Sequence, residues 1–432
     1  MNLFQRVALN TIVQILGRAG VVFITILITA ILTRSLGTEG FGNYVFILAL
    51  VMLFVSISDW GSGMISVREA AKGKTEEEKI FGNALLFRLF LATVSFLIIN
   101  FLIRLVPKFE TLVLPTTIAS ALIFFLSIRT SCNIIFQTKL HFENIAMIEL
   151  VSSGLFLLFL LLILKFSLSL KIIFFGLTLS STIAAILGLI LARRVTSFNF
   201  KIESKLIKKI FWESLPTGAL LMLFTIYNRI DIIILQGFKG STPVGIYGLA
   251  YKVHENLILG AAYLMNALFP IISKYADERG LSDRLTLIYK KSFDVLFLAG
   301  TILVFLVFIF APLVIAIIGG PQFSQSITAL RILVFATFLA YFNHLTGYSL
   351  IALGKQKVSL AVAIIALVWN VVLNLVFIPR YSYIAAAVVT IATEGLVLIL
   401  TSAYLARKFS LKPSFTFPKT LVEIIKTRGK IF

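Results

Sequence analysis

Four basic residues of this chain stand where a lipid bilayer would make them costly: Arg18, Arg88, Arg229 and Lys252 all fall inside long apolar runs. A charge at bilayer depth costs about 2.5–3.5 kcal/mol on insertion scales, so each is expected to face a cavity or a partner. Cations so placed can hold an anion. Arg18 lies roughly ten residues, or ~15 Å, into its run, near the midplane and too deep to snorkel easily. Arg88 is only about seven residues in, a depth that fits a ligand contact or a reach to cytoplasmic headgroups equally well.

The second half of the chain carries a denser cluster. "YNRIDIIIL" puts Arg229 and Asp231 in the outer half of one run, and "YKVHE" puts Lys252, His254 and Glu255 at similar depth in the next. Lys252 and Glu255 are three apart and share a helix face, whereas Arg229 and Asp231 are two apart and do not. Asp231 is therefore free to pair with Lys252 across the helix boundary. Two readings stay open: a self-neutralising ion-pair patch that joins two helices, or a solvated, net-cationic cavity that receives an anion. Glu394, deep in the last run, is a protonated acid, a partner for a hydroxyl such as Thr390, or a coupling site. Asp59 is expected to cap a turn, and Asn370 and Asn374, one helical turn apart, to hydrogen-bond between helices.

Other chemistry lacks its residues. The one cysteine, Cys132, rules out disulfides within the chain and thiolate metal sites, and the three histidines, His141, His254 and His344, are scattered. No Walker lysine follows a glycine loop and no DxD motif is present, so no nucleotide or metal cofactor is expected, and neither is an enzyme.

The elements that must position these groups are membrane helices. Of 432 residues 59% are hydrophobic and 13% charged, and mean hydropathy is +1.01. Apolar runs of the length a bilayer demands, about 20 residues, recur from end to end. Twelve spans are expected, near 8–34, 42–62, 81–104, 111–131, 143–165, 171–193, 212–236, 245–271, 291–318, 327–353, 358–379 and 382–406. The first is longer than the core of a signal peptide and lacks a small-residue cleavage site, so it reads as a retained span. With the N-terminus inside, cytoplasmic segments hold 27 Lys and Arg, outer loops and helix ends 8, and spans the four named above. The positive-inside rule therefore predicts a multi-pass protein of the cell membrane with both termini cytoplasmic. The net charge of +20 is explained by this bias and calls for no nucleic acid.

The chain also repeats itself. "GTEGFGNY" at Gly37–Tyr44 and "GSTPVGIY" at Gly240–Tyr247 share two glycines and a tyrosine at an offset of 203 residues, each at an outer turn between spans. An offset of six spans predicts a parallel repeat, two six-helix lobes related by an axis along the membrane normal. The lobes are expected at 1–194 and 212–408, with a basic linker at 195–211 and a basic tail at 409–432. In the linker, Leu206, Ile207, Ile210 and Phe211 alternate with lysines as in an amphipathic helix at the cytoplasmic interface, or in a plain charge-biased connection. Such a bundle suits movement of an anionic molecule by alternating access.

"RSLGTEGFGNY", "SDWGSGMISVREAAK", "VGIYGLAYKV", "GGPQFSQSITALRIL" and "NLVFIPRYSYIAAAVVTIATE" occur in order across nearly the whole chain. Together they resemble the polysaccharide-biosynthesis flippase family, the Wzx-type exporters of the multidrug/oligosaccharidyl-lipid/polysaccharide (MOP) superfamily. The resemblance implies a V-shaped cavity between the lobes, through which a polyprenyl pyrophosphate oligosaccharide passes from the cytoplasmic to the outer leaflet. It maps the pyrophosphate onto Arg18, Arg229 and Lys252 with Arg88 as a further member, leaves Asp231, Glu255 and Glu394 for coupling or ion pairing, and suggests other polysaccharide-assembly proteins as partners. The family usually carries glycine where Ser382 and Ala385 stand. Two alternatives remain: a cation-coupled multidrug exporter of the same superfamily, for which an acid rather than Arg18 would be expected deep in the first span, and a membrane polymerase or ligase, for which the outer loops are too short.

Overall fold

A chain that offers water so few polar residues must satisfy its backbone internally, and in a bilayer the helix is the way a single segment does so. The computed structural model describes residues 3–72, 77–166, 168–198, 201–276 and 283–413, and among them the regular structure is entirely helical. The elements are α1 (Leu3–Asp59), α2 (Ser62–Ala71), α3 (Glu77–Arg104), α4 (Val113–Ser120), α5 (Leu122–Thr138), α6 (Phe142–Ile163), α7 (Leu170–Val195), α8 (Ser204–Tyr227), α9 (Ile230–Lys239), α10 (Ser241–Ala276), α11 (Asp283–Ile318), α12 (Ser326–Ala352) and α13 (Gln356–Phe409).

Ten helical stretches among the described residues are long and apolar enough to cross a membrane. Two of them are too long for one crossing. The 57 residues of α1 and the 54 of α13 would each span ~80 Å or more, against a hydrocarbon core of about 30 Å. Each breaks where a second crossing must begin, α1 at Gly37 (φ 67°) and α13 at Ser382 (φ 55°). Twelve spans result, as the hydropathy predicts. A bundle of membrane helices follows from this count, and the chain divides into two units at Ile233/Ile234, a division inside α9 and the seventh expected span and not at the expected 195–211 linker.

The repeat seen in the sequence has a backbone cause. Gly37 and Gly240 occupy the same place in the two copies, and both are left-handed, with φ of 67° and 80°. A side chain is disfavoured there, so glycine stands at both. The matched tyrosines also play matched parts. In the first unit Tyr44 stacks on Phe174 of α7, the sixth span, at 5.3 Å between ring centroids. In the second, Tyr247 shares a 3.3 Å hydroxyl contact with Thr390 of α13, in the twelfth.

Each unit has its own core. In the first, Phe81 and Leu85 of α3, Cys132 and Phe136 of α5, Ile148 of α6 and Ala184 of α7 pack together. In the second, Met265 and Leu268 of α10, Leu296 of α11, Leu345 of α12 and Leu405 of α13 do so. The linker adds an apolar face to the first unit, because Leu206 and Ile210 of α8 are buried against Ile80, Ala84 and Phe87 of α3. Its lysine-rich helix thus covers protein at its apolar stripe, and it continues without a break into the seventh span. Of the expected basic tail, residues 414–432 lie outside the described residues.

Candidate functional site

Arg18 sits on α1, exposed on the surface of the first unit, and makes no hydrogen bond or ion pair with a described residue. That is the arrangement a cation needs if it is to meet a ligand.

Arg88 is used differently from the ligand-facing or headgroup-reaching cation expected of it. Its side chain is 1% exposed and pairs with the Asp59 carboxylate through Nη2. Nε donates to Ser62 Oγ at 2.7 Å, and Nη1 donates to Thr130 Oγ1 at 3.1 Å and to Ser131 Oγ at 3.2 Å. Four of the five guanidinium hydrogens are therefore taken up inside the lobe by α1, α2 and α5. Gly63 makes room for it: a Cβ there would stand 2.7 Å from Nη2. Burial with a counter-charge and hydrogen bonds to most of its donors is how a protein tolerates such a charge. Asp59 correspondingly serves Arg88 as well as the turn, where its carbonyl accepts from Ser62 Oγ at 2.7 Å. The polar run "SIRTS" in α5 was the sequence signal for this nest, since Ser127, Thr130 and Ser131 recur at helical spacing.

The turn after Asp59 fastens α8 to the first unit. Trp60 and Gly61 are both left-handed, with φ of 49° and 66°. A Cβ on Gly218 would lie 2.7 Å from the Trp60 carbonyl oxygen, so α1 and α8 meet backbone to backbone. The Trp60 ring stacks on Phe211 at 5.5 Å. Beyond it, buried Glu69 of α2 receives Lys209 Nζ at 2.5 Å and Lys72 Nζ at 2.6 Å, while Arg68 pairs with Glu213. Asn83 of α3 closes the linker from the other side. It donates to the Lys201 carbonyl at 3.0 Å and accepts from the Glu203 N–H at 2.8 Å. The sequence signal, Glu69, Glu203 and Glu213 set among cytoplasmic lysines, was hidden by counting basic residues alone.

Arg229 occupies the turn between α8 and α9, and Asp231 is 3% exposed at the start of α9. The Asp231 carboxylate accepts the Ile232 N–H at 2.8 Å, at the helix end where a negative charge is favoured. Both belong to the first unit and Lys252 and Glu255 to the second. On α10 the Lys252 Nζ and Glu255 Oε2 stand 3.9 Å apart, one turn along the same face, with side chains 41% and 29% exposed. His254, between them in sequence, turns inward and shares a 2.7 Å contact with Thr337 Oγ1 of α12.

Glu394 is paired with an amide that the sequence did not single out. Asn343 Nδ2 of α12 donates to Glu394 Oε2 at 2.6 Å and to the Glu394 carbonyl at 2.9 Å. Beside it, Asn370 Nδ2 donates to Thr393 Oγ1 at 3.2 Å and Asn374 Nδ2 donates to Asn370 Oδ1 at 2.9 Å. Asn370 thus joins the eleventh and twelfth spans, the inter-helix role expected of the pair, while Asn374 bonds Asn370 one turn away on its own span.

Comparison with known proteins agrees with this architecture. The family model described as "Polysaccharide biosynthesis protein" matches residues 7–276, and a second, MatE, matches 216–376. The "Uncharacterized membrane protein MJ1375" of Methanocaldococcus jannaschii is 25% identical over 249 residues, 54% of this chain and 58% of that protein. The "Probable low-salt glycan biosynthesis flippase Agl15" of Haloferax volcanii is 24% identical over 186 residues, 43% of this chain and 39% of that protein. The chain thus spans about half the length of the curated relatives it matches. Among solved structures, the "Lipid II flippase MurJ, inward closed conformation" superposes with a TM-score of 0.79 at 14% identity, over 98% of this chain and 93% of that one. Identity this low shows the fold alone.

Proposed function

The chain belongs to the polysaccharide biosynthesis protein family of the MOP superfamily, and on that premise we propose that it is a flippase. Its substrate in this reading is a lipid-linked oligosaccharide on a polyprenyl pyrophosphate, carried from the cytoplasmic to the outer leaflet of the cell membrane by alternating access. Both termini then face the cytoplasm, as the charge bias demands, and the protein moves its substrate without chemical change. The single observation that carries the reading is Arg18: a cation in the middle of the first span, exposed on its unit and with no partner among the described residues. A guanidinium at that depth is costly unless it has a use, and a diphosphate supplies one. Arg229 and Lys252 are its proposed companions, Arg88 is committed to the frame of the first lobe, and Asp231, Glu255 and Glu394 remain the acids available for coupling.

The same cation disfavours the drug-exporter reading, because a positive cavity repels cationic drugs. The test is complementation in a host deleted for its own flippase, in which the wild-type gene restores surface glycan. Arg18→Ala is expected to abolish glycan display at unchanged membrane abundance. Normal display by that variant would overturn the assignment.

A further inference from the structure

One face of α8 has no part in the transport reading. Two rows of residues run along this helix in steps of four, and they meet opposite surroundings. Leu206, Ile210, Ser214 and Gly218 are all buried, whereas Lys208, Trp212, Pro216, Leu220 and Phe224 are all exposed. A step of four is slightly more than one turn, so each row is a stripe, and residues two apart fall on opposite sides. The exposed stripe changes its chemistry in one direction. It begins with Lys208, beside Lys205 one turn earlier, passes through the indole of Trp212, 58% exposed, and continues into Leu220 and Phe224, 40% and 65% exposed. The two lysines are also surplus to the ion pairs around them. Glu69 takes Lys72 and Lys209, Glu213 takes Arg68, and Glu203 lies 3.7 Å from Lys79. Lys205 and Lys208 have no partner among the described residues.

We infer that this stripe is a binding surface for anionic phospholipids of the leaflet that α8 enters, with Lys205 and Lys208 on the headgroup phosphates and Trp212 at the membrane interface. The occupant follows from the order of the residues. A helix entering a bilayer passes from headgroups through the interface, where tryptophan is favoured, into hydrocarbon, and the stripe presents lysine, tryptophan and large apolar side chains in that order. Lys208 precedes Trp212 by four residues, ~6 Å, and Lys205 by seven, ~10 Å, which sets both ammonium groups within reach of headgroups when the indole sits at the interface. A soluble acidic protein meets the lysines but not the apolar continuation of the same stripe, which runs on into the seventh span. Lipid tails give little preference of their own, being as apolar as leucine. Selectivity therefore rests with the two lysines, each of which attracts negative headgroups. The surface is separate from Arg18, Arg229 and Lys252 and goes beyond the transport reading, since it stands whatever the protein moves.

The experiment is tryptophan quenching by brominated lipid, with the full chain in nanodiscs of phosphatidylglycerol and phosphatidylcholine in equal amounts. One lipid or the other carries bromine in its acyl chains. The Trp212 signal is the part of the emission that Trp212→Phe removes, with Trp60 and Trp369 left in place. In the wild type, brominated phosphatidylglycerol is expected to quench that signal more than brominated phosphatidylcholine does. Lys208→Gln is expected to lower the relative affinity for phosphatidylglycerol about five-fold, and Lys205→Gln with Lys208→Gln about 25-fold, the worth of one and of two basic residues at an anionic lipid surface. Lys205→Arg with Lys208→Arg should keep the preference, and Lys171→Gln, an exposed cation elsewhere on the unit, should leave it unchanged. Equal quenching by the two lipids in the wild type, a Trp212 signal that neither lipid quenches, or an unchanged preference in the double glutamine variant would each overturn the inference. So would loss of the preference on adding a polyprenyl monophosphate at one-tenth of the phosphatidylglycerol, because the stripe would then be selecting the carrier lipid. The effect of Arg18→Ala on glycan display has no bearing on these outcomes, so the two readings can fail independently.

Discussion

The pair Asp59–Arg88 should be far more sensitive to losing its acid than to losing its base. The asymmetry comes from burial: the Arg88 side chain is 1% exposed and that of Asp59 29%. Asp59→Asn keeps the shape and one hydrogen-bond acceptor but leaves a buried guanidinium without a counter-charge. Breaking a buried pair in that way costs about 3–5 kcal/mol, and the retained acceptor places this case near the lower figure. Arg88→Met strands the carboxylate instead, but that side chain is 29% exposed, so the loss is closer to that of unmade hydrogen bonds, about 1–3 kcal/mol. The double variant Asp59→Leu with Arg88→Met removes both charges and should recover much of what Asp59→Asn loses, because apolar replacement of a buried pair is often near neutral. Thermal unfolding of purified protein in one detergent, followed by the loss of monodisperse protein, gives the ranking. Expected is Asp59→Asn lowest, Arg88→Met between it and wild type, and the double variant above Asp59→Asn. If Asp59→Asn melts with wild type, the buried-charge argument is wrong.

Three further outcomes are expected. Ser382→Gly should raise stability by about 1 kcal/mol, since a non-glycine residue at φ 55°, ψ −140° carries roughly 1–3 kcal/mol of strain and glycine returns about 0.5–1 of that in backbone entropy; the same melting assay reads it. Gly218→Ala should cost about 1–3 kcal/mol by overpacking, because its Cβ would press on the Trp60 carbonyl at 2.7 Å; wild-type melting would refute the close approach of α1 and α8. Neutralising Lys252 alone should reduce glycan display more than neutralising Lys252 and Asp231 together if this one base and one acid only balance each other's charge, and full display in both variants would remove them from the substrate path.

What the sequence disclosed depended on whether a property is local. Span number was legible because hydropathy is a property of each segment, and the two over-long helices still showed their breaks as "GTEG" and "PRYS". The repeat was legible because a left-handed backbone at Gly37 and Gly240 excludes side chains. Arg88 was misjudged for the opposite reason. Depth along α3 says nothing of direction, and its partners Asp59, Ser62, Thr130 and Ser131 come from three other helices. For Glu394 the sequence left open a protonated acid, a hydroxyl partner such as Thr390 or a coupling site, and its amide partner Asn343 was not legible because it is 51 residues away on α12. The linker's amphipathic pattern was correctly seen, but a stripe of Leu206 and Ile210 looks the same whether it meets lipid or α3. Lys252 with Glu255 was legible in full, being one turn of one helix.

The central claim is that Arg18 meets the phosphate of a lipid-linked substrate during its passage. It is tested most directly by reconstituting the protein in liposomes with a labelled polyprenyl pyrophosphate oligosaccharide and following arrival of the glycan at the opposite leaflet. Wild type should move it, and Arg18→Gln should slow it at least ten-fold, the loss of one charge-assisted contact of about 1.5–3 kcal/mol, with unchanged melting. Equal rates for the two proteins would contradict the account.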